Sequence, residues 1–374
     1  MKKFYLVALA AVTMLLVGCT DVQTPETDTT KLYPAMNSTG DLWGYVDGKG
    51  NFVIPAMFES ASGFSCGYAQ VVIGDEVKFI DKKGKIQSTM SFDYATDFYY
   101  GYSTILLDEN VGLLSKDLTM AISPYYFNLG LMGDNGLIAA KFDEDAKFSY
   151  LNSKGETKIP AMFDAADQFK DGLAIIQMNE KYGAINKTGE FIIQPTHKYP
   201  LNNMGEGLVS YVDKNDKMGI LNSKGEIVVS AIYEQIGSIS DGMIPYVGKS
   251  KCGYLDKTGN VVIPELYYQV WQFYEGYAWV KQSSSSNYTC VDKEAKIVFM
   301  LSKEDTPVTG FHNGLALVQT KNGYKYVDTT GALVYSWSNS RDDMTPKHNI
   351  EDNEIAPSFI KQEMMTNHFD SRKL

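Results

Sequence analysis

One unit of about 35 residues recurs along most of this chain, and it constrains the fold more than any other feature. A clear copy runs from Cys252 to Pro264 and reads CGYLDKTGNVVIP. Units this short cannot bury a core alone, so they must pack on one another. Nine copies align on the polar residue that opens a turn: Asp47, Asp81, Ser115, Asn152, Asn186, Asn222, Asp256, Asp292 and Asp328.

The turn within each unit predicts a β-hairpin. An Asp, Asn or Ser at its start can accept backbone N–H groups, and a glycine three residues later supplies the positive φ that closes the hairpin. Seven copies have that glycine, whereas the copies at Ser115 and Asp292 lack it, so we expect irregular turns there. A proline often ends the strand that follows, as Pro55 and Pro264 do.

A second series of glycines leads into another strand, as in Gly67-Tyr68-Ala69 and Gly172-Leu173-Ala174. The pattern predicts an all-β array over residues 42–337, made of one hairpin and eight units of three strands. Propeller blades usually hold four strands in longer repeats, so we favour an open, curved solenoid. A closed, propeller-like ring is the alternative.

The array as a whole resembles the bacterial WG repeat, also known as the KWG repeat. The best copy is Trp43-Gly44-Tyr45-Val46-Asp47, followed by Gly50 and by Phe52-Val53-Ile54-Pro55. Tryptophan stands at only one of the nine equivalent positions. The resemblance implies an all-β repeat scaffold, and it implies no enzymatic activity because no active site belongs to the motif.

The N-terminus resembles a bacterial lipoprotein signal. Lys2 and Lys3 precede an apolar stretch too short for an ordinary membrane span, and Leu16-Val17-Gly18-Cys19 has the form of a cleavage site. The resemblance implies removal of residues 1–18, lipidation of Cys19 with acyl chains such as palmitate, and anchoring in the cell envelope. Thr20 rather than Asp follows the cysteine, which favours the outer membrane.

The segments flanking the array are polar. Residues 19–41 are rich in Thr, Pro, Asp and Glu and predict a flexible tether, and residues 338–374 predict a mobile tail. The net charge of −11 makes nucleic acid an unfavourable partner. Cys252 and Cys290 could form a bridge, although buried free thiols fit better. The four histidines show no metal-ligand spacing, so we expect neither a metal nor a cofactor.

The aromatic residues give the candidate binding site. Tyr268 and Trp271 fall outside the regular apolar positions and are the predicted ligand-binding aromatics, whereas Trp279 fits the core. The sequence therefore predicts a non-catalytic envelope lipoprotein that binds a protein, peptide or glycan partner. The alternative is a polysaccharide or cell-wall hydrolase, in which acids such as Asp241, Glu265 and Glu275 would cluster on the concave face.

Overall fold

The structure, a computed structural model, describes residues 31–74, 76–87 and 90–338, together with the backbone of 368–370. The predicted signal peptide of residues 1–18, Cys19 and most of the tether and tail lie outside the described residues. No helix long and apolar enough to span a membrane is present in the described part of the chain.

Nine antiparallel sheets follow one another in chain order, and we number them as blades 1 to 9. Blade 1 comprises β1 (Tyr33–Met36), β2 (Trp43–Val46) and β3 (Phe52–Phe58). Blade 2 comprises β4 (Ser60–Ala61), β5 (Ala69–Ile73) and β6 (Glu76–Ile80). Blade 3 comprises β7 (Tyr94–Ala95), β8 (Tyr102–Leu107), β9 (Asn110–Ser115) and β10 (Met120–Tyr126). In blade 2, the bridges Val77–Phe92 and Ile80–Ile86 occupy the place of the fourth strand.

Blades 4 to 6 each contain four strands. Blade 4 comprises β11 (Asn128–Leu129), β12 (Leu137–Lys141), β13 (Phe148–Asn152) and β14 (Thr157–Phe163). Blade 5 comprises β15 (Ala165–Ala166), β16 (Ala174–Met178), β17 (Lys181–Ile185) and β18 (Phe191–His197). Blade 6 comprises β19 (Asn202–Gly205), β20 (Leu208–Val212), β21 (Met218–Asn222) and β22 (Ile227–Tyr233).

Blades 7 to 9 complete the series. Blade 7 comprises β23 (Gln235–Ile236), β24 (Met243–Val247), β25 (Cys252–Asp256) and β26 (Val261–Tyr267). Blade 8 comprises β27 (Gln269–Trp271), β28 (Tyr277–Lys281), β29 (Thr289–Asp292) and β30 (Ile297–Met300). Blade 9 comprises β31 (Thr306–Pro307), β32 (Leu315–Thr320), β33 (Gly323–Asp328) and β34 (Leu333–Ser338). A last strand, β35 (His368–Asp370), pairs with β27 at the edge of blade 8.

The strand that the sequence did not predict is the first one in most blades. It has two residues in six blades, three in blade 8 and four in blade 6, and it usually begins almost directly after the last strand of the preceding blade. For example, Ala165 and Ala166 pair with Gln177 and Ile176. A two-residue strand carries no alternation of apolar and polar residues, so the sequence pattern cannot reveal it. With it, about 35 residues suffice for a four-stranded blade.

The predicted turn chemistry is confirmed. One carboxylate oxygen of Asp256 accepts the backbone N–H groups of Thr258 and Asn260, each at 2.9 Å, and Gly259 has φ +87°. The copies without glycine keep the same turn, so the expectation of irregular turns was wrong. Their left-handed position is occupied instead by Leu118, with φ +57°, and by Ala295, with φ +61°.

The glycine of the WG dipeptide permits a close approach between two strands. A Cβ atom on Gly183 would lie 2.6 Å from the carbonyl oxygen of Ile193 and 2.8 Å from the nitrogen of Pro195. The proline-containing strand is irregular here, because its pairing register shifts between Tyr182 and Ala184. Glycine and proline are therefore two parts of one local structure.

Neighbouring blades bury aromatic and aliphatic side chains against each other, and a tyrosine hydroxyl links several of these pairs. Each such tyrosine lies two residues after the first position of the WG motif and donates to a backbone carbonyl of the next blade. The hydrogen bonds are Tyr45 to Ser62 at 2.9 Å, Tyr150 to Asp167 at 2.8 Å and Tyr254 to Trp271 at 2.7 Å.

The array closes into a nine-bladed propeller. Buried Tyr33, Ala35 and Met36 of blade 1 pack in one cluster with Leu315 and Trp337 of blade 9. The Tyr326 hydroxyl donates to the Pro34 carbonyl at 2.8 Å across the same boundary. The all-β prediction is confirmed, and the closed ring, our alternative, is the arrangement observed in place of the open solenoid.

Two sequence expectations failed together at this boundary. Tyr33–Met36, which we assigned to the flexible tether, is the first strand of blade 1. The initial hairpin is therefore part of a three-stranded sheet that covers the exposed face of blade 9, and no end remains to be capped. Its strand lies in a segment rich in Thr, Pro and Asp, which masked the short apolar run.

Candidate functional site

The predicted ligand-binding aromatics have different environments. The side chain of Trp271 is only 6% exposed and packs in the core between blades 8 and 9, so it offers no open face for a ligand. Tyr268 is half-buried just before β27. Trp279 is core, as predicted, and its indole N–H donates to the carbonyl of Thr309 at 3.0 Å. Cys252 and Cys290 are both buried, and no disulfide joins them.

The acids considered for hydrolysis are placed on separate structural elements. Asp241 accepts the backbone N–H of Gly276 at 2.6 Å, and Glu275 accepts those of Asn313 and Gly314 at 2.6 and 2.7 Å. These bonds join the turns of successive blades. Glu265 lies instead in β26. Within the described residues, no group of three or more His, Cys, Asp or Glu side chains is arranged to hold a metal ion.

Tyr268 occupies a repeat position with a specific role. This position immediately precedes the first strand of a blade, and in most blades it is an acid: Glu59, Asp93, Asp164, Glu234 and Asp305. Each of these acids either accepts a backbone N–H of the following hairpin or forms an ion pair with a lysine. Glu59 accepts the N–H of Gly74 at 2.9 Å, Asp164 accepts that of Asn179 at 2.7 Å, and Asp305 pairs with Lys325 at 2.7 Å.

Blades 4 and 8 replace this acid by an aromatic residue, Phe127 in blade 4 and Tyr268 in blade 8. The same two blades place a lysine opposite the start of their first strand, since Asn128 pairs with Lys141 and Gln269 pairs with Lys281. In the other blades the same position lies opposite the first residue of the WG motif, and it is occupied by Met36, Val72, Leu106, Gln177, Val212, Val247 and Gln319.

The blade 4 corner consists of Phe127, Lys141, Phe142 and Phe148. The Lys141 ammonium lies 5.5 Å from the ring centroid of Phe127 and 5.9 Å from that of Phe148, within the range of cation–π attraction. The backbone N–H of Phe127 donates to the carbonyl of Phe142 at 3.1 Å. The Phe142 ring makes an edge contact with Tyr126, with centroids 5.7 Å apart.

The blade 8 corner consists of Tyr268, Lys281 and Tyr288 and repeats this plan. The Lys281 ammonium lies 5.0 Å from the ring centroid of Tyr288 and donates to the carbonyl of Ser284 at 2.9 Å. The hairpin that carries it runs from Gln282 to Tyr288 between β28 and β29. It is longer than the two-residue connection of blades 2, 3 and 5. The corresponding hairpin of blade 4, residues 142–147, is also long.

The hydroxyl of Tyr288 gives the two corners different hydrogen bonds. In blade 8 the Tyr288 hydroxyl donates to the side-chain oxygen of Gln269 at 3.2 Å. In blade 4 the equivalent residues are Phe148 and Asn128, and the side-chain oxygen of Asn128 is buried with no hydrogen-bond donor among the described residues. The two corners therefore differ in hydrogen bonding beneath their aromatic rings.

Two residues of the blade 4 corner, Phe127 and Phe142, are exposed aromatics, and Tyr125 precedes them in the last strand of blade 3. Among the described residues, the large aromatic side chains that are exposed are Phe52 at 38%, Phe127 at 46%, Phe142 at 63% and Tyr125 at 71%. Three of these four lie within blade 4 or in the last strand of blade 3. An exposed cluster of this kind is typical of an interaction site, so this corner is the strongest candidate site.

Sequence reasoning missed this corner because Tyr125-Tyr126-Phe127 looks like ordinary strand sequence. The signal was present in the comparison of repeats, since an acid is expected where Phe127 and Tyr268 stand. It could be used only once the first strand of each blade, and therefore its neighbouring position, was known.

Comparison with known proteins agrees with the repeat assignment and the fold. The pattern of the WG containing repeat matches residues 43–76, 79–110, 148–182, 182–199, 218–248 and 253–284, so WG-type repeats run through the chain. No curated protein sequence matches it.

The chain is similar to the crystal structure of a eukaryotic initiation factor, with a TM-score of 0.59, 12% identity, and coverage of 84% of this chain and 97% of that one. It is less similar to the dihydro-heme d1 dehydrogenase NirN, with a TM-score of 0.45, 14% identity, and coverage of 84% and 74%. Its similarity to BamB from Moraxella catarrhalis has a TM-score of 0.39 and 9% identity, with coverage of 76% of this chain and 89% of that one. At 12% identity the likeness to the initiation factor concerns the fold alone.

Proposed function

We propose that this propeller of WG-type repeats is a lipid-anchored protein of the bacterial cell envelope that binds a protein, peptide or glycan partner and catalyses no reaction. The observation that carries the proposal is the exposed aromatic surface of the blade 4 corner. Binding residues often lie on connections held by a rigid scaffold, and this corner joins the last strand of one blade to the first strand of the next.

The replacement of the usual acid supports a binding role. In blades 2 and 5 the acid satisfies a backbone N–H of the following hairpin. Phe127 cannot accept a hydrogen bond, and with 46% of its surface exposed it contributes less to the core than a buried side chain would. The substitution gives the fold little, but it creates a surface that a partner can cover.

The membrane anchor rests on the lipoprotein-like segment that ends at Cys19. Cells expressing the full chain would be labelled with radioactive palmitate, and the peptide containing Cys19 would be identified by mass spectrometry. We expect label in the wild type and none in Cys19→Ala. Wild-type protein without label, or with Cys19 held in a reducible bond to another thiol, would contradict the anchor.

The binding role is tested with full-length protein in detergent, immobilised and exposed separately to envelope extracts and to a glycan array. The test variant is Phe127→Asp with Phe142→Ser. The control is Ile227→Ser with Ile232→Ser, because those side chains are each 65% exposed on the outer strand of blade 6. We expect the corner variant to lose a component that the control retains. Capture of nothing by the wild type, or equal capture by both variants, would refute the role.

A further inference from the structure

The blade 4 corner continues directly into an acidic hairpin. Phe142 is followed by Asp143, Glu144 and Asp145, all exposed. Only one side-chain bond within this triplet is present among the described contacts, from the N–H of Asp145 to Asp143 at 3.1 Å. Exposed aromatic rings and carboxylates are therefore presented side by side on one connection.

The nearby lysines leave this surface negative. Lys147 forms an ion pair with Asp164 of the following blade. Lys141 lies over the rings of Phe127 and Phe148 and adds one positive charge beside three acids. The hairpin retains an excess of negative charge, in a protein whose net charge is −11. A cationic partner is favoured at such a surface over long and short distances alike.

The position of Lys141 shows what these rings attract. Its ammonium lies within 6 Å of two aromatic centroids, the arrangement that a cation adopts over an aromatic face. Phe142, at 63% exposure, offers a further ring beside the carboxylates. An arginine or lysine side chain can lie on that ring while its charged end reaches the acids.

We infer that the blade 4 corner binds a segment of a protein partner that carries exposed arginine or lysine side chains. This inference rests on the proposed binding function and names the chemistry of its partner. The blade 8 corner does not share the property, because its hairpin carries Ser283 to Ser286 where blade 4 carries acids.

The probe is a fluorescent peptide of alternating arginine and glycine, compared with one of alternating glutamate and glycine and with a neutral cello-oligosaccharide. Binding to full-length protein in detergent is measured at two salt concentrations. We expect the arginine peptide to bind at least about tenfold more tightly than the glutamate peptide, and its binding to weaken with salt.

Two variants separate the site from bulk charge. Phe142→Ala, and the triple variant Asp143→Asn, Glu144→Gln, Asp145→Asn, should each weaken arginine-peptide binding by about tenfold. The control triple variant, Glu109→Gln, Glu180→Gln, Glu304→Gln, changes the net charge equally at exposed acids of other blades and should stay within about twofold. Thermal melting confirms that each variant is folded.

Equal weakening by the two triple variants would overturn the inference, because binding would then follow net charge. Binding of the oligosaccharide that Phe142→Ala abolishes, with arginine-peptide binding unchanged, would also overturn it, although the proposed function would stand. Failure of the proposed function itself is recognised separately, when the wild type captures nothing from envelope extracts or glycans.

Discussion

The hydroxyl of Tyr326 donates to the carbonyl of Pro34 at 2.8 Å, although 292 residues separate the two in sequence. Tyr326 holds the same repeat position as Tyr150 and Tyr254, which donate to carbonyls at the end of the first strand of the next blade or directly after it. Blade 1 lacks that short strand, so the bond of Tyr326 reaches β1 instead. The boundary between the last and first blades thus reuses the interaction found inside the array.

The first prediction concerns this closure. Tyr326→Phe leaves a buried carbonyl without its donor and should lower the free energy of unfolding by about 1–2 kcal/mol. Trp337→Ala, which removes a ring only 5% exposed from the cluster between blades 1 and 9, should cost about 3–5 kcal/mol. Urea denaturation measures both, with Tyr254→Phe as the matched internal bond. If Tyr326→Phe unfolds at the same urea concentration as the wild type while Tyr254→Phe is destabilised, the closing hydrogen bond contributes nothing to stability.

The second prediction concerns the WG glycine. Gly183→Ala places a methyl group 2.6 Å from the carbonyl oxygen of Ile193, and the obstacles are backbone atoms that cannot rotate away. We expect a loss of about 2–3 kcal/mol in the same denaturation assay. Gly48→Ala is the control, because a Cβ atom there meets nothing within 4 Å. Equal stability of the two variants would contradict the proposed role of close strand approach.

The third prediction concerns a turn without its usual glycine. Ala295 has φ +61°, a conformation that costs an L-amino acid about 1–2 kcal/mol. Ala295→Gly should raise the free energy of unfolding by about 0.5–1 kcal/mol, because the relief exceeds the loss of a half-buried methyl group. The reciprocal change, Gly259→Ala at φ +87°, should be destabilising. A melting temperature lowered by Ala295→Gly would contradict this account.

The fourth prediction concerns pH. Burial raises the pKa of the Asp167 carboxyl to about 6, from a usual value near 4. The folded state therefore holds the proton more tightly than the unfolded chain. The stabilising effect of that proton is fully present below about pH 4 and disappears as pH rises through 6. Asp167→Asn should be about 1–3 kcal/mol more stable than the wild type at pH 7.5 and nearly equal to it at pH 4.

Asp256 is the control for this pH dependence, because its pKa is shifted in the opposite direction. Hydrogen bonds from the Thr258 hydroxyl and from Asn260 lower the pKa of its carboxyl to about 2, so its contribution is present at neutral pH and disappears as pH falls. Stability is followed by thermal melting from pH 3.5 to 8. An advantage of Asp167→Asn that is constant across this range would show that protonation of Asp167 is not linked to folding.

The repeats, their turns and the core role of Trp279 could be predicted, because each depends on residues close in sequence. The ring closure could not, since it depends on a two-residue strand and on Tyr33–Met36 in a polar segment. The ligand-binding role of Tyr268 stays a prediction. Tyr268 was chosen as an aromatic outside the pattern, and it does occupy an exceptional position, but Trp271 beside it fills the core.

Phe127 illustrates the limit most clearly. Its sequence neighbours are aromatic, so it looks like strand sequence, and its distinction appears only when it is compared with Glu59, Asp93 and Asp164 at the same structural position. Such comparison requires the pairing of each first strand, which local composition does not contain.

Blade 1 and blade 9 share no strand, since β1 to β3 come from one end of the array and β31 to β34 from the other. The number of blades is therefore set by the angle at which neighbours pack and not by a composite sheet that must receive both chain ends. Duplication or loss of one whole unit would leave every remaining sheet intact. Ring size is thus a quantity that gene duplication can change in single steps, with the interblade angle as the constraint that selection must adjust.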